Sequence, residues 1–211
     1  PGTSPLQSVT RLPGVNFQSA DPLGAYEWST RFTVRAFSQN QLGFTLDDVP
    51  LGDMSYGNMN GLHVSRAISS ENVARATLSQ GTGALETASS SNLGGTLQFY
   101  SSRPADRFGI DARQTIGSDK NRRSFLRVDS GKTELGQFFL SYTNQNAEKW
   151  KGQGEQRQQQ WNFKFEKQLG EHKLSAFYNT SKRREIDYQD LSEEMINRLG
   201  YNWDNFFPDF Q

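Results

Sequence analysis

The chain has 211 residues, no cysteine, 23 basic against 23 acidic side chains, and a mean hydropathy of −0.77. That length suits one large domain or two modest ones, zero net charge offers no field for nucleic acid, and the missing thiols exclude disulfide scaffolds, thiolate metal sites and cysteine nucleophiles. No apolar run approaches the ~18 residues of a membrane helix, although barrel strands alternate and would average out as hydrophilic.

Taken in order, Leu6, Val9 and Leu12 predict a short helical face stopped by Pro13 and Gly14, and Val15 to Phe17 an extended piece. Residues 18–30, rich in Ser, Gly, Pro and Asp, predict an exposed loop carrying Tyr26 and Trp28. Phe32 to Arg35 and Leu42 to Leu46 alternate and predict two strands around the polar loop Ser38 to Gln41. Asp47-Asp48-Val49-Pro50 then turns the chain into a glycine-bounded loop with Met54, Tyr56 and Asn58. Two strands with adaptable, aromatic-tipped loops at one end form a scaffold for gripping a ligand. Val73 to Leu78 predicts a strand ending at Gly81-Thr82-Gly83, which lacks the Lys-Ser/Thr and the following helix of a phosphate loop. Small residues from Ala88 to Gly95 permit close backbone approach before a strand at Thr96 to Tyr100. The result is an α+β unit poor in large apolar residues, expected to pack inside something else.

The clearest boundary is one of charge. Residues 1–104 hold no lysine, six arginines and seven acids, whereas residues 105–211 hold seventeen basic and sixteen acidic residues. The seam falls at Ser101 to Pro104, which divides the chain into 1–104 and 105–211.

Leu12-Pro13-Gly14-Val15, Phe32 to Phe37, Leu46 to Leu51, Gly81, and Leu93 to Leu97, in that order and spacing, resemble the plug domain of TonB-dependent outer-membrane receptors. Ala36 and Asp48 stand where the family usually has glycine, which suggests altered turns. Thr77 stands where glutamate is common and Gln80 where a basic residue is, so the family's charge lock between plug and barrel would take another form.

Beyond the seam, Phe108, Ile110, Ala112 and Ile116 alternate with polar residues and predict a first wall strand. Further strands are predicted at Ser124 to Asp129, Gly136 to Tyr142, Trp161 to Glu166 and Lys173 to Asn179. The links at Ser130 to Glu134 and Leu169 to Glu171 are short, that from Asn144 to Arg157 is long, and Asp119 to Asn121 is short. Short inner turns with longer outer loops are the barrel arrangement. Five strands cannot close a plugged barrel of ~22, so the chain, which also starts without Met or a leader, reads as a fragment. After Arg184 an external loop is expected, with a helix capped by Asp190 and Glu193 and stopped by Gly200, followed by Tyr201, Trp203, Phe206, Phe207 and Phe210. Packing of that loop on itself or its neighbours is preferred to ligand contact.

Chemistry of other kinds is sparse. His63 and His172 lie in different regions, and Asp47, Asp48 and Asp53 surround a turn, where aspartate is common without a cation. No oriented Ser/His/Asp set points to an enzyme, and neither a cofactor nor a metal is called for. Asn179-Thr180-Ser181 falls in a predicted strand, so its match to a glycosylation site is accidental. Arg122-Arg123 and Lys182-Arg183-Arg184 lie near external strand ends, where solvation is the default reading and contact with anionic lipid or anionic ligand the alternative.

The expected fold is therefore an α+β plug domain followed by antiparallel strands of an incomplete transmembrane β-barrel. The resemblance implies localisation in the bacterial outer membrane and active uptake of a scarce ligand, a ferric siderophore before a carbohydrate or cobalamin. Implied partners are the TonB energy-transducing complex, whose contact segment would precede Pro1, an extracellular small molecule and outer-membrane lipid, with no nucleic acid. Its three outward plug loops map onto residues 18–30, 38–41 and 52–59, making Tyr26, Trp28, Gln39, Asn40, Met54, Tyr56 and Asn58 candidate ligand contacts. A soluble β-rich carbohydrate-binding or adhesion protein is the competing reading. It would need a second sheet over the apolar rows Trp161-Phe163-Phe165 and Leu174-Ala176-Tyr178.

Overall fold

A computed structural model describes residues 2–21, 23–24, 26–52, 61–81, 87–89 and 92–204. The first segment forms a 3-10 turn, Pro5–Val9, capped by the Ser4 hydroxyl, with Leu6 and Val9 buried and Leu12 partly exposed. Strands β1 (Val15–Gln18), β2 (Arg31–Val34) and β3 (Phe37–Ser38) make a small antiparallel sheet. A second sheet has the order β5-β4-β7-β6, from β4 (Gly43–Leu46), β5 (Val49–Pro50), β6 (Val73–Gln80) and β7 (Gly95–Ser101). Only β4 and β7 run parallel, and β4 is buried along its whole length.

The core lies between these sheets and a one-turn helix, α1 (Val64–Ala67). Phe32 and Phe44 meet edge to face, 6.5 Å apart, among Leu6, Val34, Leu42, Val64, Ile68, Leu97 and Phe99. Gly95 shows why this stretch needs small residues. Its φ is +126°, and a Cβ would lie 2.3 Å from the Ser79 carbonyl oxygen.

Both suspect turns keep their left-handed form instead of changing it. Arg35 and Ala36 have φ of 48° and 70° in the two-residue hairpin joining β2 to β3, and Asp47 and Asp48 have 48° and 64° between β4 and β5. The right-handed twist of the flanking strands selects this turn whatever residues occupy it.

The five wall strands are β8 (Phe108–Ile116), β9 (Arg122–Ser130), β10 (Gln137–Glu148), β11 (Glu155–Leu169) and β12 (His172–Arg184). They form one antiparallel sheet in sequence order, open at both edges among the described residues. The link between β10 and β11 is shorter than expected, residues 149–154, because both strands continue through polar residues. After β12 comes α2 (Glu193–Leu199). Its N-cap is Ser192, whose hydroxyl accepts from Met195 N–H, and not Asp190; Gly200 ends it with φ 92°.

Register aligns the two faces of this sheet into rows. Ala112, Leu126, Tyr142 and Trp161 lie in one row, and Ile110, Val128, Leu140, Phe163 and Tyr178 in another. Tyr142 and Trp161 rings meet at 4.5 Å, Phe138 and Phe163 at 5.9 Å. Phe108, Ile110, Ile116, Leu174 and Tyr178 are each at least half exposed, and nothing described covers this face. The opposite face buries Arg123, Arg127, Asp129, Ser141, Thr143, Gln160, Asn162, Lys164 and Glu166. A sheet with its oily side out and its polar side in is built for lipid outside and a hydrated or protein-filled lumen.

The N-terminal unit fills that polar side. Wall amides satisfy the carbonyls that a one-turn helix leaves unpaired: Gln158 donates to Ser65 O, Gln160 and Asn179 to Arg66 O, and Asn162 to Ala67 O. Asn72 donates to Ser141 at 2.7 Å and to Asn162 at 3.0 Å, and accepts from Arg127 at 3.2 Å. Thr77 and Gln80 are exposed, and other residues carry the charge pairs. Glu71 takes both terminal nitrogens of Arg123, with side chains 1% and 7% exposed, while Asp47 meets Lys164 and Arg103 meets Glu166.

Candidate functional site

The end of the wall away from Pro104 carries the turn at 117–121, the 149–154 loop and the segment after Arg184. Here the N-terminal unit offers residues 18–21 and 26–31 beside the 149–154 loop and the segment after Arg184.

Tyr26 is 2% exposed, not the loop tip expected of it. Its hydroxyl donates to the Asp187 carboxylate, and its ring meets Tyr188 edge to face at 5.4 Å. Burial, then the hydrogen bond to Asp187, pushes this phenol well above its ordinary range. Tyr188 is pushed up to about 12, by burial first and then by Asp21 and Asp204, so both hydroxyls stay protonated; that of Tyr26 donates to Asp187, while that of Tyr188 accepts from the Trp150 N–H. Trp150 stacks on Tyr188 at 5.9 Å, lies 6.1 Å from Tyr201, and donates its indole N–H to Ala20 O at 2.7 Å. Four aromatics from three separate segments thus meet over the N-terminal unit.

Charge pins the segment after Arg184 in place. Lys149 lies 2.8 Å from the Asp204 carboxylate, both side chains fully buried, and donates to Asp187 O at 2.7 Å. Lys151 donates to Gln189 O, and Gln156 exchanges hydrogen bonds with the Ile186 backbone. Below this layer Glu27 pairs with Arg66 and Arg183, and Glu185 also meets Arg183. Burial raises the Glu185 carboxyl to about 7 against the pull of Arg183. His63 is buried and held neutral, with its pKa lowered to about 3 by burial and then by Arg183 and Arg66. Its Nδ1 accepts from Ser65 N–H as the cap of α1, which gives this histidine a structural task.

The other expected contacts fall in different settings. Trp28 is 47% exposed and lines a cavity of about 330 Å³ with Gln18, Ser29, Arg31, Asp187 and Asp190. Asn40 is exposed and accepts from the Ser38 hydroxyl. Gln39 is 8% exposed, and its side-chain oxygen accepts from Phe32 N–H at 2.9 Å. Met54, Tyr56 and Asn58 lie outside the described residues. A second cavity, about 160 Å³, lies between Asp21, Tyr26, Ile116, Gln145, Trp150 and Tyr188. Trp150, Asp187 and Tyr188 went unremarked in the sequence, and their only signal there is an aromatic in an otherwise polar loop. Among the described residues no cluster of three His, Asp or Glu side chains could hold a metal ion.

Residues 1–96 match the TonB-dependent Receptor Plug Domain family. No curated protein matches the chain significantly. Among solved structures it is similar to the pyoverdine outer membrane receptor of Pseudomonas aeruginosa PAO1 bound to pyoverdine, with 20% identity over 84% of this chain and a TM-score of 0.67. It is similar to an iron transporter from Neisseria meningitidis at 15% identity over 87% of the chain, TM-score 0.67. A third is the ferric-catecholate import receptor of E. coli K12, at 17% identity over 86%, TM-score 0.63. The chain spans 25%, 30% and 24% of those three chains.

Proposed function

We propose that this chain, which belongs to the TonB-dependent receptor family and lies in the outer membrane, takes part in active uptake of a ferric siderophore. The observation that carries the reading is a family plug domain seated by polar contacts on the inner face of a sheet whose outer face is bare and apolar. An adhesion domain with that sheet would need a partner layer, and no described residue supplies one. Iron is favoured because the similar structures include receptors named for pyoverdine, yersiniabactin and ferric catecholates.

In this reading the plug comprises residues 1–104, and the ligand arrives at the end bearing Trp28, with Asn40, Met54, Tyr56 and Asn58 as further candidate contacts on the grounds of sequence. Mixed aromatic and amide groups suit a ligand whose rim is part apolar and part hydrogen-bonding. Tyr26 and Gln39 serve from beneath, one holding the external segment and the other the backbone of Phe32. The energy-transducing TonB complex acts from the periplasmic side to release the ligand.

Growth tests the ligand class. A strain lacking the receptor, complemented with it, should recover on ferric siderophores as sole iron source and gain nothing on oligosaccharides or cobalamin. Rescue on either of the latter instead would overturn the iron reading. Trp28→Ala with Tyr56→Ala should weaken ligand binding about tenfold or more, a loss of ~1.4 kcal/mol, with barrel assembly intact. Unchanged affinity would remove these residues from the site, and an intact receptor that stays monodisperse without detergent would defeat the transporter reading itself.

A further inference from the structure

The cavity beside Trp28 is lined by more negative charge than positive. Its walls come from two sides, Trp28 and Arg31 from the N-terminal unit, and Asp187, Tyr188 and Asp190 from the segment after Arg184. At about 330 Å³ it stands at the low end of small-molecule pockets, which run from ~300 to ~1,000 Å³. It therefore has room for one arm of a chelate and not for its whole body.

Two carboxylates share this lining with one guanidinium, and their circumstances differ. Arg31 is turned to the backbone, donating to Trp28 O at 2.7 Å and to Thr30 O at 3.2 Å. Asp187 accepts from the Tyr26 hydroxyl and from Tyr188 N–H, neutral donors that hold the carboxylate without cancelling its charge. The nearby Lys149 ammonium pairs with Asp204 and reaches Asp187 at its backbone carbonyl. Asp190 is exposed, caps no helix because Ser192 holds that place, and among the described residues pairs with no lysine or arginine. Alone it would be a solvated loop residue, but a second carboxylate stands three residues earlier and an indole lines the same recess. Trp28 is 47% exposed, and indole is the aromatic ring that attracts a cation most strongly. Excess carboxylate beside an indole disfavours an anion and favours a cation.

We infer that this cavity receives a cationic arm of the ferric ligand, an ammonium or guanidinium group, so that the receptor selects chelates bearing such an arm over chelates that are anionic throughout. The arm's charge meets Asp187 and Asp190 while its methylenes lie against the Trp28 ring. The inference rests on the uptake of ferric chelates proposed above and adds to it the chemical group by which the ligand is read.

The test uses the intact receptor in detergent micelles and two series of ferric chelates, a trihydroxamate and a tricatecholate. Each is made with a pendant primary amine and again with that amine acetylated, and equilibrium binding is read by titration calorimetry at low and high salt. In whichever series binds, the amine form is expected to bind about fivefold or more tightly than its acetylated twin, a margin that shrinks as salt is raised. Asp190→Asn should cut the margin to about twofold or less by weakening the amine form alone. Glu194→Gln, which removes an exposed charge from the same segment outside the cavity, should leave the margin as it is. Equal or tighter binding of the acetylated form, or a full margin in Asp190→Asn, would overturn the inference and leave iron uptake standing. Binding of no ferric chelate in either series would instead overturn the uptake reading, and the inference with it.

Discussion

Lys149→Met removes one ammonium from the outer layer while keeping most of the stem's volume. That ammonium and the Asp204 carboxylate are 2.8 Å apart with both side chains 0% exposed, and Lys149 also lies 4.7 Å from the centre of the Tyr188 ring. Deleting one partner of a buried pair costs about 3–5 kcal/mol, because the remaining charge stays desolvated. The wall strands do not depend on this pair, so the cost falls on closure of residues 185–204. At ~1.4 kcal/mol per factor of ten, opening of that segment should rise by roughly two to three and a half orders of magnitude. Hydrogen exchange reads this directly at Gln189, whose amide donates to Asp204 at 2.5 Å. Its protection should collapse while amides from Trp161 to Glu166 keep theirs. Lys149→Met with Asp204→Leu should recover much of the loss, since an apolar pair carries no desolvation penalty. That recovery is read at the Ile186 amide, which donates to Gln156, because Asp204→Leu removes the acceptor of Gln189. Unchanged protection in the single variant, or a double variant as open as the single, would refute the reasoning.

Three further outcomes are expected. Tyr26→Phe keeps the edge-to-face packing on Tyr188 but removes the donor to Asp187, costing about 1.5–3 kcal/mol of the same closure, again read by exchange over 185–189. Glu185 holds its proton up to about 7 in the folded protein against an ordinary 4.5, so the penalty of ionising it is absent below 4.5, grows between the two and is complete above 7. Stability should therefore fall by up to ~3 kcal/mol as pH rises through that window. Glu185→Gln should flatten the fall, and melting at pH 5 and pH 8 with equal slopes in variant and parent would reject this. Ala36→Gly and Asp48→Gly should each stabilise by about 0.5–1 kcal/mol, since left-handed backbone costs other residues ~1–2 kcal/mol and glycine returns part of that as chain entropy. A lower denaturant midpoint in either variant would contradict that account.

Much of the wall was legible because alternation is a local signal. All five strands lie where period two placed them, and only their polar extensions were hidden, since Asn144, Gln145 and Asn146 resemble loop as readily as strand. The hairpins at Arg35-Ala36 and Asp47-Asp48 kept their geometry although their residues argued against it, since flanking strands outweigh a turn residue's preference. The outer layer was harder to read. Tyr26 looked like a loop tip because nothing near it in sequence reveals that Asp187, 161 residues away, receives its hydroxyl. Gln39 looked available for a ligand, yet a backbone N–H seven residues back occupies its oxygen. Contacts between distant segments leave no period for a sequence reading to find.

The amide-lined seat of the one-turn helix has a mechanical meaning. Oil-to-oil contact resists sliding, because every ångström of movement exposes surface that water will not wet. The hydroxyls and amides joining Ser69, Asn72 and the Arg66 carbonyl to Ser141, Thr143, Asn162 and Asn179 can each be taken over by a water molecule as they part. Such a joint is firm at rest yet lubricated under load, so a steady pull could part it bond by bond and leave the surrounding wall standing.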